Sequence, residues 1–94
     1  MSKFNTMLTP LPGETVKISY TGTAAQTTAM PNNISAVRLV STTDCFIRFA
    51  DDVATTADAY LPAYQVEYFS AAKGQKVSAV QVSSAGDLYV TPCA

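Results

Sequence analysis

The sequence predicts an all-β protein, a small antiparallel β-sandwich or jelly-roll-like barrel with an extended N-terminal arm. Runs of alternating apolar and polar residues occur at Cys45–Ala50, Gln65–Ser70 and Lys76–Ser83, with a further run at Asp87–Thr91, and turn residues close each run. A period of two over four to eight residues is typical of a strand with one buried and one solvated face. About six or seven such strands without a convincing helix indicate a sandwich or barrel.

The sequence predicts an extended arm over residues 1–12 and a single β domain over residues 13–94. A chain of 94 residues is too short to bury two independent cores. Pro10 and Pro12 fix their own φ angles and bias the residues before them toward extended geometry. The alternative is that the arm lies back over its own core as a covering strand.

In the first half of the domain, the residue pattern predicts two strands separated by a loop. Thr15–Tyr20 alternates apolar and polar residues after the Pro12-Gly13 turn, which indicates the first strand. Thr21–Asn33 has almost no large apolar residue and predicts a loop. Ile34–Val40 predicts the second strand, with alternate residues buried.

A short turn separates the second strand from the next one, so we expect Ile34–Val40 and Cys45–Ala50 to pair as a hairpin. That pairing would bring Arg38 and Arg48 close together on the exposed side. Their mutual repulsion would call for an acidic neighbour such as Glu67.

The rest of the chain predicts a polar loop and two further strand regions. Asp51–Ala59 is rich in acidic and hydroxyl residues and predicts a loop. The strand at Gln65–Ser70 follows it. The last two strands, on either side of Ser84–Gly86, are expected to form a closing hairpin.

Composition favours a protein that works in contact with other proteins. Charged residues make up 14% of the chain, against about 25% in a typical domain. The net charge is −1 and the basic residues are scattered, which predicts no nucleic-acid binding. No apolar run reaches the roughly 20 residues of a membrane span, and Met1–Pro12 lacks the pattern of a signal peptide. We therefore expect a protein made and kept in a cytoplasm, and a homo-oligomer because its core is small.

The residues offer no set suited to catalysis or to a cofactor. The chain contains no His, the usual base of a nucleophilic triad, so we expect a non-enzyme. Asp51, Asp52 and Asp58 predict a solvated acidic loop, with a bound cation as the alternative. Cys45 and Cys93 cannot build a zinc site without further ligands, and a reducing compartment favours free, packed thiols.

Aromatic residues cluster in the predicted strands and turns. Five rings lie there, and core and edge packing is expected to account for some of them, while the others are candidates for an interface, where Tyr is enriched. They are Tyr60, Tyr64, Tyr68, Phe69 and Tyr89. A carbohydrate-binding surface is the alternative, although Trp, the residue most often used for stacking on sugars, is absent.

A series of short motifs follows in order along the second half of the chain. They are a turn at Val40–Asp44, Arg48-Phe49, an acidic Thr-rich loop at Asp51–Asp58, Leu61-Pro62-Ala63, an aromatic strand at Val66–Phe69, Gly74–Val77, Val80–Val82 with Gly86, and Leu88–Thr91. This pattern resembles a group of small virion proteins of tailed bacteriophages and prophages, over about the last sixty residues. It consists of structural signals rather than active-site residues. At Tyr64 the chain departs from the pattern, which usually has a Gly there, so the type of that turn is left open.

The resemblance implies a non-enzymatic component of the virion, a head decoration or cement protein on the capsid surface. Its partner would be the major capsid protein, and its own assembly a trimer or dimer. The arm lies outside the match and would be adapted to a particular capsid. The residues expected to contact the partner are Phe4, Met7, Leu8 and Leu11 in the arm, with Tyr60 and Tyr64 in the domain. The alternative is a module of the tail, neck or fibre that binds a host receptor or glycan.

Overall fold

The computed structural model describes residues 8–71 and 74–94 as two antiparallel four-stranded sheets that pack face to face. The eight strands are β1 (Val16–Tyr20), β2 (Ala25–Gln26), β3 (Ala36–Ser41), β4 (Cys45–Phe49), β5 (Ala59–Leu61), β6 (Glu67–Ser70), β7 (Val77–Gln81) and β8 (Gly86–Cys93). The first sheet has the order β1-β8-β3-β6 and the second the order β2-β7-β4-β5. The predicted all-β class and its sandwich form are confirmed.

The core lies between the two sheets, on the strand faces that alternation predicts. In β3, for example, Val37 and Leu39 are fully buried while Arg38 and Val40 are half-exposed. Each strand contributes its inward residues to one continuous cluster. Its main members are Ile18, Tyr20, Val37, Leu39, Leu88 and Val90 from the first sheet, and Cys45, Ile47, Leu61, Val77 and Ala79 from the second.

Strand pairing is organised around one point of the chain. β1 pairs with β8, β2 with β7, β3 with β6 and β4 with β5, and these four pairs alternate between the two sheets. In three of these strand pairs, Val53 is the midpoint in the sequence between the two paired residues: Val16 with Val90, Ala36 with Ser70, and Cys45 with Leu61. In the fourth, Ala25 with Ala79, the midpoint is Asp52. The chain therefore forms one long antiparallel ribbon whose tip is the β4–β5 loop, and the ribbon is wrapped into the two sheets.

Both predicted hairpins are wrong. β3 and β4 follow each other in the chain but lie in different sheets, and so do β7 and β8. A short turn is compatible with a hairpin and also with a crossing from one sheet to the other, so turn residues alone do not choose between them. Here β3 instead pairs with β8 over six residue pairs, from Ala36 with Cys93 to Ser41 with Leu88.

The predicted proximity of Arg38 and Arg48 is therefore wrong as well. Arg38 lies in the first sheet opposite Tyr68 of β6. Arg48 lies in the second sheet, and its Nε is 3.5 Å from Oδ1 of Asp58. The two guanidinium groups need no shared acidic neighbour because the core separates the strands that carry them.

The β4–β5 loop covers the outer face of the second sheet. The Gln26 Nε2 donates to the carbonyl oxygen of Asp51 (2.7 Å), and the Ala54 amide donates to Ser78 Oγ (2.8 Å). As a result all four residues of Val77–Val80 are buried, whereas alternation predicted one solvated face. β2, which lies inside the predicted loop Thr21–Asn33, supplies the side chain of Gln26 for this contact.

The segment before the Pro12-Gly13 turn lies against its own domain. The Thr9 amide donates to Ala94 O (2.9 Å), the Leu11 amide donates to Pro92 O (2.9 Å), and the Ala94 amide donates back to Thr9 O (3.0 Å). Residues 9–11 thus extend the sheet beside the end of β8. Two residues predicted to contact a partner, Phe4 and Met7, lie outside the described residues.

Candidate interaction surface

One side of the sandwich is formed by the outermost strands of both sheets. β6 is the last strand of the first sheet and β5 the last strand of the second, and only Pro62–Val66 connects them. The rings of Phe49 and Phe69, with centroids 5.2 Å apart, close the core on this side. We define residues 59–70 as the β5–β6 rim.

The rim exposes four large apolar side chains within nine residues. Tyr60 is 53% exposed, Tyr64 73%, Val66 38% and Tyr68 55%. Glu67 is the only charged residue of residues 59–70. Several exposed apolar side chains close together in the chain make this rim a candidate interaction site, whereas single ones are common on any protein.

Tyr60 is held from two directions on β5. Its ring packs edge-on against Phe46 of β4, with ring centroids 6.0 Å apart. Its hydroxyl is hydrogen-bonded to the Asp44 carboxylate, which raises the pKa of Tyr60. The same bond, with a second from the Ala63 amide (2.8 Å), lowers the pKa of Asp44. A ring fixed in this way loses little conformational entropy when a partner binds it.

Tyr64 occupies a turn that favours glycine. Its φ is +59°, in the left-handed region, and its amide donates to Ser41 O (2.7 Å). The turn therefore adopts the backbone conformation that a Gly would adopt, which answers the question left open by the departure at this position. A non-Gly residue in this region costs about 1–3 kcal/mol, and such residues are concentrated at functional sites.

The structure brings together two of the predicted contact residues and separates them from the others. Tyr60 and Tyr64 both lie on the rim. Leu8 is 41% exposed and Leu11 is half-buried beside the end of β8. Since β8 and β3 lie between residues 9–11 and β6, Leu11 does not belong to the rim surface.

Val66 and Tyr68 also belong to the rim; Val66 was not among the predicted contact residues, and Tyr68 was only one of the five rings from which interface candidates were expected. Both face the outside of the first sheet, because Tyr68 pairs with Arg38 on that face and Val66 lies two residues before it. The sequence does carry a signal for them. Five large apolar residues fall between positions 60 and 68 with one charge among them, and a four-residue edge strand cannot bury all of them on one face.

The described residues outside the rim contain little that suggests chemistry. They include no group of three or more His, Cys, Asp and Glu side chains able to hold a metal ion. Asp58 organises its own loop by accepting a hydrogen bond from the Thr55 amide (2.8 Å). The thiols of Cys45 and Cys93 are free and fully buried, and burial raises the pKa of Cys45, which disfavours the nucleophilic thiolate.

Comparisons with known proteins give no information about function. The chain has no match among family models, curated proteins or solved structures. Within residues 8–71 and 74–94, no helix is long and apolar enough to cross a membrane. The functional interpretation is therefore based on the rim, the composition and the resemblance of the motifs.

Proposed function

We propose that this protein is a structural virion protein of a tailed phage, a capsid decoration or cement protein that binds across major capsid protein subunits and stabilises the head. The observation that carries the proposal is the β5–β6 rim, where Tyr60 and Tyr64 project from the edge of the sandwich with few charges around them. The resemblance of the motifs to small phage virion proteins supports the same assignment.

The strand order supports a finer description of the fold, a jelly roll. In a jelly roll, eight strands form two Greek keys in two sheets. The pairs β1/β8, β2/β7, β3/β6 and β4/β5, which alternate between the sheets, fit a wrapped ribbon of that kind. Viral capsid domains and lectins share this architecture, but fold alone is an analogy for function, so the proposal depends on the surface.

The surface chemistry suits permanent contact with another protein. Charged residues are depleted at the centre of protein interfaces and Tyr is enriched there, because charges lose hydration when they are covered. The rim has this composition, and the held ring of Tyr60 and the strained turn at Tyr64 present two rings on a rigid support. We propose these two tyrosines as anchors on the capsid, with Leu8 and Leu11 as additional contacts.

The mechanism is thermodynamic linkage. A protein that binds the assembled shell and not the free subunits stabilises the shell by an amount set by its affinity and concentration. The chain needs no chemical step for this role. It would act at the capsid surface after synthesis in the host cytoplasm, as a homo-oligomer.

Copy number on purified particles tests the proposal. We expect quantitative mass spectrometry to find the chain at hundreds of copies per particle, and particles without it to lose DNA at a lower temperature. A double variant, Tyr60→Ala with Tyr64→Ala, should bind particles at least tenfold more weakly. Tyr89→Ala is the matched control, since Tyr89 is an exposed tyrosine (37%) of β8, which is not an edge strand. Absence of the chain from particles would refute the proposal.

A second candidate function is a tail, neck or fibre module that binds a host receptor or glycan. The observation in its favour is the set of three exposed rings, Tyr60, Tyr64 and Tyr68, with the Asp44 carboxylate next to Tyr60. Rings and carboxylates together can bind a sugar by stacking and hydrogen bonding. A handful of copies per particle, with binding to host polysaccharide, would support this function instead.

A further inference from the structure

We propose that β6 pairs with β6 of a second copy of this chain, across a two-fold axis at Tyr68, so that the first sheets of two molecules join into one continuous sheet. This inference rests on the proposed function for its expectation of a homo-oligomer, and it specifies the interface and the symmetry of that oligomer. Tyr60 and Tyr64 lie outside the paired strand, on β5 and in the β5–β6 connection.

The open edge of β6 carries backbone groups without a strand partner. The Ala71 amide donates toward β3, to Ser35 O (3.4 Å). Amide direction alternates along an antiparallel strand, so the amides of Glu67 and Phe69 also point toward β3. The amides and carbonyl oxygens of Tyr68 and Ser70 point away from β3. A row of unpaired backbone donors and acceptors at a sheet edge is a template for pairing with another strand.

Among the described edge strands, β6 is the least protected against such pairing. Edge strands are usually kept apart by Lys, Pro, bulges or short length. β1, at the opposite edge of the same sheet, has the exposed Lys17. β2 has two residues and β5 three. β6 has four residues and none of them is Lys, Arg or Pro.

Charge and hydrogen bonding favour an axis at Tyr68 for a symmetric pair. If the axis passes through Tyr68, Tyr68 lies opposite Tyr68 of the second copy, Val66 lies opposite Ser70, and Glu67 lies opposite Phe69. If the axis moves by one residue to Glu67, two carboxylates face each other, which is destabilising. The Tyr68 register also brings all the outward-directed amides of Val66–Ser70 into hydrogen-bonding pairs and places two Tyr rings side by side.

The symmetry decides between the two expected oligomers. A two-fold edge pairing is isologous and closes on itself, so it yields a dimer. A trimer would need a heterologous contact in which β6 meets a different surface. We therefore expect a dimer, or a larger assembly that is built from dimers.

A cysteine at the axis tests the register. Opposite residues in an antiparallel pair have Cα atoms about 5.5 Å apart, which is within the reach of a disulfide. We expect Tyr68→Cys to form a covalent dimer on mild oxidation, seen on a non-reducing gel. Tyr89→Cys is the control because it faces the same side of the sheet from β8. The native Cys45 and Cys93 are fully buried.

Two further variants make the test specific. Val66→Cys and Ser70→Cys should each fail to crosslink alone, while the double variant should crosslink, since these positions face each other only across the axis. In ultracentrifugation the unmodified chain should be a dimer, and Tyr68→Lys should weaken dimerisation at least tenfold with an unchanged circular dichroism spectrum. A monomeric or trimeric unmodified chain, or equal crosslinking at positions 68 and 89, would overturn the inference.

The outcome is distinguishable from that of the proposed function. A dimer through β6 that is absent from virions would sustain this inference and refute the capsid role. A chain found on virions as a trimer or monomer would sustain the capsid role and overturn this inference.

Discussion

Tyr64 combines high exposure with an unfavourable backbone conformation. It is 73% exposed, the highest value among the exposed large apolar side chains of the described residues, and its φ of +59° is one that side chains rarely adopt. Little burial compensates for this backbone conformation. An exposed ring on a strained turn is better explained by contact with a partner than by the fold of the isolated chain.

Replacing Tyr64 tests whether the turn is strained. In Tyr64→Gly the left-handed conformation no longer costs about 1–2 kcal/mol, although Gly also raises the entropy of the unfolded chain by roughly 0.5–1 kcal/mol. Tyr64→Ala retains the strain and also removes the ring, so it is the matched control. We expect the Gly variant to be more stable than the Ala variant by about 1 kcal/mol in urea unfolding. Equal stabilities would contradict the interpretation.

Asp44 couples the rim to pH. Hydrogen bonds from the Tyr60 hydroxyl and from the Ala63 amide hold the pKa of Asp44 below its ordinary value. Because the folded-state pKa is the lower one, the stability that this group contributes is present above the unfolded-state pKa of about 3.9 and is lost as the pH falls through the folded-state pKa.

Tyr60→Phe should therefore change the acid limb of the stability curve. Without the hydroxyl, we expect the pKa of Asp44, followed by NMR of its carboxyl carbon, to rise toward the ordinary value. The variant should then lose less stability than the unmodified chain when the pH falls below about 4. Tyr64→Phe, which leaves the Tyr60 hydroxyl in place, should leave the pKa of Asp44 unchanged. An unchanged pKa in Tyr60→Phe would show that the bond is not formed in solution.

At the scale of elements, a cluster of hydroxyl groups holds the β3–β4 turn against the ends of β1 and β8. The Tyr20 hydroxyl donates to Thr43 O (2.8 Å), and the Asp87 amide donates to Thr42 Oγ1 (2.9 Å). Gly86 lies directly beneath them. The closeness of these groups to its Cα explains why a residue without a side chain occupies the start of β8.

Gly86→Ala should loosen this junction. Its Cβ would lie 2.8 Å from Tyr20 Oη and 2.9 Å from Thr42 Oγ1, and it would also overlap Thr43 Oγ1. Rotating the threonines away would break their hydrogen bonds, so we expect a loss of roughly 1–3 kcal/mol in the free energy of unfolding. Gly22→Ala, whose Cβ would meet Gln81 Nε2 at an ordinary 3.8 Å, should change stability by less than about 0.5 kcal/mol. Similar effects at the two glycines would argue against the steric explanation.

The sequence predicted which face of a strand is buried better than it predicted which strands pair. Alternation placed Val37 and Leu39 in the core because side-chain direction is a local property with a period of two. Pairing is not local, and the rule that consecutive strands pair holds in only about two-thirds of cases. β3 pairs with β8, about fifty residues away, and the short turn after β3 gives no sign of that choice.

At the scale of the whole molecule, the ribbon centred on Val53 explains what sequence reasoning missed in the site. Wrapping places β5 and β6 at the same side of the sandwich, with Tyr60 on the outer face of the second sheet, Tyr68 on that of the first, and Tyr64 in the turn between them. Their composition suggested an interface, but their joint position follows only from the topology. The same wrapping places residues 9–11 beside β8, away from that surface.

The last pairing of the wrapped chain predicts that residues 9–11 contribute to folding. Three backbone hydrogen bonds join residues 9–11 to Pro92 and Ala94, at about 1 kcal/mol each, and they cover the fully buried Pro92 and Cys93. Deleting residues 1–12 should therefore cost about 2–3 kcal/mol in urea unfolding. Deleting residues 1–7 retains all three bonds and should cost little, so loss of particle binding in that shorter deletion would assign the contact to Phe4 and Met7. Equal stability of the two truncated chains would mean that residues 9–11 do not hold the end of β8 in solution.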